Sequence, residues 1–211
     1  MESYMNRISN TGIVPVVKIL EKEDAYPLAK ALLNGGIDVI EVTYRSEHAT
    51  SAIQTISEQL PDMLVGAGTV LSVEQAKEAV EAGAKFIITP GFNTKVVQWC
   101  LDHDVEVYPG VSTASEVEMA LSMGLTQLKF FPAESSGGAK KLKDLSAPYA
   151  NVHFMPTGGI NTKNMHDYLS LPNVEAIGGS FMLPNDLVVA KDWDGIEALS
   201  KVFNLKGKVV P

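Results

Sequence analysis

Arginine is almost missing from this chain: Arg7 and Arg45 are the two that occur in 211 residues. Positive charge is scarce altogether, with 17 Lys and Arg against 25 Asp and Glu and a net charge of −8. Nucleic-acid binding needs basic residues clustered on one face, so that class of partner is not expected. Any anionic ligand must instead be caught by a local positive site, which gives the place of Arg45 particular weight. A single cysteine, Cys100, excludes an intrachain disulfide. Beside Val96, Val97 and Trp99 it reads as a small buried hydrophobe. No run approaches the ~18 consecutive apolar residues of a membrane span. The N-terminal residues, with Glu2 and no continuous apolar core, do not read as a secretion signal. A reducing cytoplasm fits these absences.

What is present is an ordinary globular balance, 45% hydrophobic and 20% charged, in a length that suits one well-buried domain spanning 1–211. Short β-branched runs alternate with longer amphipathic stretches. The expected strands are 13–17, 37–42, 63–65, 86–88, 105–108, 126–130, 153–155 and 174–177. Between them, apolar residues at three- and four-residue spacing, such as Ala76, Ala79 and Val80, predict helices over 23–33, 47–59, 73–82, 94–101, 115–123 and 161–169. A seventh falls within 139–145 and a last one near 193–202. Ser72, Asn93, Thr113 and Asn161 are expected helix caps. Gly36, Gly83 and Gly124 are expected to end helices in a left-handed conformation. Eight strands, each followed by a helix, predict a closed parallel (β/α)₈ barrel, with an open doubly wound sheet as the structural alternative.

In such a barrel, function gathers at the C-terminal ends of the strands. Polar and special residues fall there repeatedly: Glu41 and Arg45, Gly66-Ala67-Gly68-Thr69, Thr89-Pro90-Gly91, Pro109-Gly110, Lys129, Thr157-Gly158-Gly159 and Gly178-Gly179-Ser180. Lys129 is the sharpest of them. Strand side chains alternate faces, so Leu128 and Phe130 pack one way while Gln127 and Lys129 point the other. If the aliphatic face meets the helices, Lys129 points inward. An ammonium ion withdrawn from water is destabilised relative to the free amine, and the amine is the nucleophile. The competing reading is a lysine snorkelling out at a strand end.

Val39, Glu41, Thr43 and Arg45 share a parity that would project them to one side of a continued extended chain. A carboxylate beside a desolvated lysine can shuttle protons; the bland alternative is a structural ion pair. Arg45 offers a planar fork for a carboxylate. The glycine pairs at 158–159 and 178–179 let backbone N–H groups approach an anion, with a following helix N-terminus adding positive partial charge. Two such pairs at the ends of the last two strands point to phosphate. His48, His103, His153 and His166 show no metal spacing, so no metal is expected.

These segments, taken in order, resemble the 2-keto-3-deoxy-6-phosphogluconate / 4-hydroxy-2-oxoglutarate (KDPG/KHG) aldolase family. The residues that carry the resemblance are Gly36-Ile37, Glu41-Val42-Thr43-Tyr44-Arg45, Gly66-Ala67-Gly68-Thr69-Val70, Thr89-Pro90-Gly91, Pro109-Gly110-Val111, Leu128-Lys129-Phe130-Phe131-Pro132-Ala133-Glu134 and Pro156-Thr157-Gly158-Gly159-Ile160. The resemblance implies a class I aldolase of the Entner–Doudoroff route, a (β/α)₈ barrel, a homotrimer and no cofactor. It implies a Schiff base on Lys129, with Glu41 moving protons. Arg45 and Thr69 would hold the pyruvate carboxylate and Pro90 would shape the wall. Thr157 also belongs to the substrate-binding set, and Gly158, Gly159, Gly179 and Ser180 would receive the phosphate. Tyr44 and Ser46 depart from the family, which more often has Leu and Thr there, at the mouth of the site. Two rivals remain from the residues alone. One is another phosphate-binding barrel enzyme, such as a sugar-phosphate epimerase or a thiamine-phosphate-synthase-like transferase. The other is a non-catalytic phosphate-metabolite binding barrel, against which a desolvated amine counts.

Overall fold

A computed structural model describes residues 3–205. In chain order the elements are α1 (Tyr4–Thr11), β1 (Ile13–Val17), α2 (Ala25–Asn34), β2 (Val39–Thr43), α3 (Ala49–Gln59), β3 (Leu64–Gly68), α4 (Val73–Glu81), β4 (Phe86–Ile88), α5 (Thr94–Asp102), β5 (Glu106–Tyr108) and β6 (Gly110–Val111). There follow α6 (Ala114–Ser122), β7 (Gln127–Phe130), α7 (Gly138–Ser146), β8 (His153–Pro156), α8 (Met165–Leu169), β9 (Ile177–Gly179), α9 (Asn185–Val189) and α10 (Trp193–Phe203). Among these strands every pairing is parallel. The chain is thus an α/β fold built on a curled parallel sheet.

The hydrogen-bond ladder differs from the expected eight-stranded closed barrel. The described residues form a six-stranded sheet, β5-β4-β3-β2-β1-β9, and a three-stranded one, β6-β7-β8. Both interruptions fall at prolines. Pro109 separates β5 from β6; its carbonyl accepts from the Lys129 N–H at 3.0 Å, but it has no N–H to return to the neighbouring strand. At the other seam Phe154 N–H donates to Asn173 and Glu175 N–H donates to Phe154. In a parallel ladder the next donor on that side is residue 156, which is Pro156. Isolated bridges Phe154↔Val174 and Thr157↔Gly178 are what remains there.

Side chains divide by strand parity. Outward residues such as Ile40, Val42, Val65, Ile87, Leu128 and Phe130 join the helices in one large core. Inward Val14, Val39, Leu64, Phe86, Ile88, Tyr108, Met155 and Ala176 form a second cluster, closed from below by Met5 and Ile8 of α1. Helix α1 lies outside the expected set. Ser3 caps it by accepting from the Met5 N–H, and burying Met5 and Ile8 contributes about 1.5–3 kcal/mol each.

The expected caps Ser72, Asn93 and Thr113 each accept a backbone N–H, with Thr113 and Glu116 completing a capping box. Asn161 does not cap a helix. Its side chain accepts from the Lys163 N–H, Asn164 accepts from the Asn161 N–H, and α8 begins only at Met165. Gly36, Gly83 and Gly124 do turn left-handed after their helices, with φ of 90°, 107° and 79°. Cys100 is fully buried, and burial pushes its thiol up to about 12, as suits an inert core residue.

Candidate active site

The ten residues singled out in the sequence, Glu41, Arg45, Thr69, Pro90, Lys129, Thr157, Gly158, Gly159, Gly179 and Ser180, all line one cavity of about 280 Å³ at the C-terminal ends of the strands. Its floor is the contact between Lys129 and Glu41. Parity turns Lys129 inward from β7, where only 4% of its surface is exposed, and its Nζ lies 3.3 Å from Glu41 Oε1. The snorkelling alternative therefore fails. Glu41 stands on the central strand β2 and is fully buried. A side chain at Gly68 would put its Cβ 2.0 Å from Glu41 Oε1, so the carboxylate occupies space that only glycine leaves open. Gly66 and Gly68 thus belong to strand β3, where they had been expected in a loop after it. Locally they read as turn residues, but here neighbouring side chains require them.

The other Glu41 oxygen, Oε2, is buried without a hydrogen-bond partner, and so is Thr157 Oγ1 on the far wall. Unpartnered buried oxygens are uncommon in folded proteins and mark places where a polar group of a ligand gains from docking. Gly178 makes room for Thr157, since a Cβ there would fall 2.2 Å from its Oγ1.

Arg45 reaches the cavity by a different route from the one its parity suggested. Strand β2 ends at Thr43 and the chain turns, so Arg45 is an exposed turn residue. Its Nε donates to Thr43 Oγ1 at 3.1 Å, and that hydroxyl donates to the Val17 carbonyl at 2.7 Å. The guanidinium is thereby tied to two strands. The adjoining Tyr44 shares a hydrogen bond with Thr50 at the start of α3, and burial raises its phenol above the ordinary range. Thr69 has φ of 54°, a conformation costly for a β-branched residue, and strain of this kind clusters at functional sites.

The glycine loops differ from expectation in one respect. Helix α8 starts six residues beyond Gly159 and α9 begins well after Ser180, both as five-residue segments. No helix N-terminus directly follows either glycine pair to add its partial charge. Val16, Phe131 and Ile160 also line the cavity and were not singled out. The Phe131 ring lies 5.1 Å from Lys129 Nζ. Its place two residues beyond Lys129 was a usable signal, because it shares the lysine's parity; Ile160 carried none. His153 sits at the opposite end of the strands, 2.7 Å from Glu175. Among the described residues no group of three or more His, Cys, Asp or Glu side chains is placed to hold a metal ion.

An inward lysine against a buried carboxylate, with one arginine at the rim, is a site for carbonyl chemistry on an anionic substrate. The model of the family "KDPG and KHG aldolase" matches residues 4–199. The 2-dehydro-3-deoxy-phosphogluconate aldolase of Treponema pallidum is 45% identical over 201 residues, 95% of this chain and 96% of that protein. The KHG/KDPG aldolase of Escherichia coli K12 is 44% identical over 195 residues, 92% of each. A crystal structure of the Legionella pneumophila KDPG aldolase, with pyruvate captured as a covalent carbinolamine, superposes with a TM-score of 0.93 at 40% identity, covering 96% of this chain and 98% of that one. With its fold, its inward lysine and these matches, the chain belongs to the KDPG and KHG aldolase family and is a carbon–carbon lyase.

Proposed function

We propose that this chain cleaves 2-keto-3-deoxy-6-phosphogluconate to pyruvate and glyceraldehyde 3-phosphate, and 4-hydroxy-2-oxoglutarate to pyruvate and glyoxylate, through a Schiff base on Lys129. The observation that carries the reading is the buried Lys129–Glu41 contact at the floor of the cavity. The Lys129 amine attacks the C2 ketone to give a carbinolamine. Glu41 delivers a proton as the hydroxyl leaves as water, producing a protonated imine. Loss of the C4 hydroxyl proton to Glu41 then breaks the C3–C4 bond. Its electron pair flows into the imine, leaving an enamine on the enzyme and releasing the aldehyde. Protonation at C3 and hydrolysis return pyruvate and the free amine.

The remaining wall residues set the orientation of this substrate. Arg45 and the strained Thr69 hold the carboxylate next to the ketone, and Pro90 closes that side. Thr157 offers its hydroxyl to a substrate oxygen near the bond that breaks. Gly158, Gly159, Gly179 and Ser180 receive the phosphate through loop N–H groups and the serine hydroxyl. We further infer that the two sheets are one eight-stranded barrel whose ladder the two prolines interrupt, forming a single domain. The family resemblance supports a homotrimer in the cytoplasm, which light scattering and fractionation would check.

The deciding experiment is incubation with pyruvate and sodium borohydride followed by peptide mass mapping. One reduced pyruvyl adduct on Lys129, and none in Lys129→Ala, is the expected result. An unmodified protein, or turnover abolished by EDTA, would return the epimerase reading.

A further inference from the structure

Glu134 and Tyr168 lie outside the cavity lining, yet they meet directly behind its phosphate-facing wall. Tyr168, on α8, is fully buried, and its hydroxyl donates a short hydrogen bond to Glu134 Oε1. Glu134 follows Ala133 just beyond β7, in the segment that leads away from Lys129. Both residues grip the neighbouring glycine loop through the backbone. The Ala133 N–H donates to Thr157 O at 2.8 Å and the Glu134 N–H to Gly158 O at 3.1 Å. The glutamate stem fills the third position, because a Cβ at Gly159 would fall 2.6 Å from Glu134 Cγ. Gly158 and Gly159, with φ of 103° and 80°, follow a backbone course that residues with side chains rarely adopt.

From this geometry we propose that Glu134 and Tyr168 form a strut that locks the 157–159 loop to the Lys129 strand, making them positioning residues for the anionic end of the substrate, distant from the imine. The inference rests on the reading of that loop as the phosphate site. A carboxylate beside an anion-binding loop would ordinarily repel its ligand. Here the Tyr168 hydroxyl engages one carboxylate oxygen, while the Glu134 side chain as a whole stays exposed to screening water. Burial, and next the hydrogen bond to Glu134, raise the Tyr168 phenol above its ordinary range. It stays protonated and keeps donating across the working pH. The chemistry at Lys129 needs nothing from this pair, since the retro-aldol electrons move through atoms held by Glu41 and Arg45. The strut should therefore matter to substrates that carry a terminal phosphate and not to those that lack one.

The test compares Tyr168→Phe, Glu134→Ala and Glu134→Gln with the unaltered enzyme on both keto acids. In Tyr168→Phe and Glu134→Ala, KM for the phosphorylated substrate should rise about 3- to 10-fold, the scale of one lost hydrogen bond, with kcat little changed. KM for 4-hydroxy-2-oxoglutarate and borohydride trapping of pyruvate on Lys129 should stay as in the unaltered enzyme. Glu134→Gln keeps the shape and an acceptor for Tyr168, and should restore most of the loss. Equal KM values across the set, while inorganic phosphate still inhibits the unaltered enzyme competitively, would overturn the strut alone. If phosphate fails to compete in the unaltered enzyme, the phosphate reading falls and takes the strut with it. Should Tyr168→Phe fail to fold, the more exposed Glu134→Ala decides the question by the same ratio.

Discussion

Glu41 and Glu106 both come from the inner face of the strands, one toward each end, and they are treated in opposite ways. Glu106, at the N-terminal end, has both oxygens taken: Oε1 accepts from the Tyr4 N–H at 2.9 Å, and Oε2 accepts from Ser3 Oγ and the Tyr108 hydroxyl. Glu41, at the C-terminal end, has Lys129 on one oxygen and no partner on the other. A carboxylate with both oxygens already accepting hydrogen bonds gains little from a ligand and ties α1 to the strands. A half-satisfied one beside a buried amine has the form that the proposed proton transfer needs, at some cost to stability. Residue type is the same at the two ends; hydrogen-bond saturation is what differs.

Glu41→Gln is the harshest challenge to that contrast. It keeps the shape and removes the exchangeable proton, so kcat should fall about 10²- to 10⁴-fold, the usual worth of a positioned acid–base group. Steady-state turnover of the keto acid measures it, and a variant with near-normal kcat would erase the distinction between the two ends. Glu106→Ala should do the reverse. Activity should hold within about twofold while unfolding in urea shows a loss of about 1–3 kcal/mol, as three donors lose their acceptor.

The same network predicts an alkaline weakness. Burial foremost, and then the bond to Glu106, raises the Tyr108 phenol above its ordinary value. A folded value above the unfolded one contributes stability that is fully present below about pH 10 and fades as pH climbs beyond it. Tyr108→Phe should flatten that loss in denaturation curves taken at rising pH. The mildest effect belongs to Thr69→Gly. Relief of the left-handed threonine should raise stability by up to about 1 kcal/mol, while loss of its hydroxyl raises KM about 3-fold. A variant that bound the keto acid as well as before would show that the strain serves nothing at the site.

Much of the site was legible in the residues. Lys129 between Leu128 and Phe130 announces an inward amine, and the strand-end residues around it converge on one cavity. Apolar lining was harder to see, because Val16 and Ile160 look like any core residue until the cavity beside them is known. Helix α1 was missed because its burial depends on the inner cluster of strand residues it covers, which no local pattern describes. The seams were missed for a similar reason. Pro109 and Pro156 are plain in the chain, but a missing N–H breaks a ladder only if its neighbour is facing that side.

Taken by itself, the amino-acid order determined what is local: which side chains share a strand face, where Ser72, Asn93 and Thr113 start helices, and that a lone lysine sits in an aliphatic strand. Tertiary structure decided the meeting of Lys129 with Glu41 across 88 residues, the glycine at 68 that the carboxylate requires, and the turn that carries Arg45 to the rim. Alternation along a strand follows from the backbone geometry of each residue. Which strands lie side by side, and in what register, follows from packing the whole sheet against its helices, a property no single segment contains.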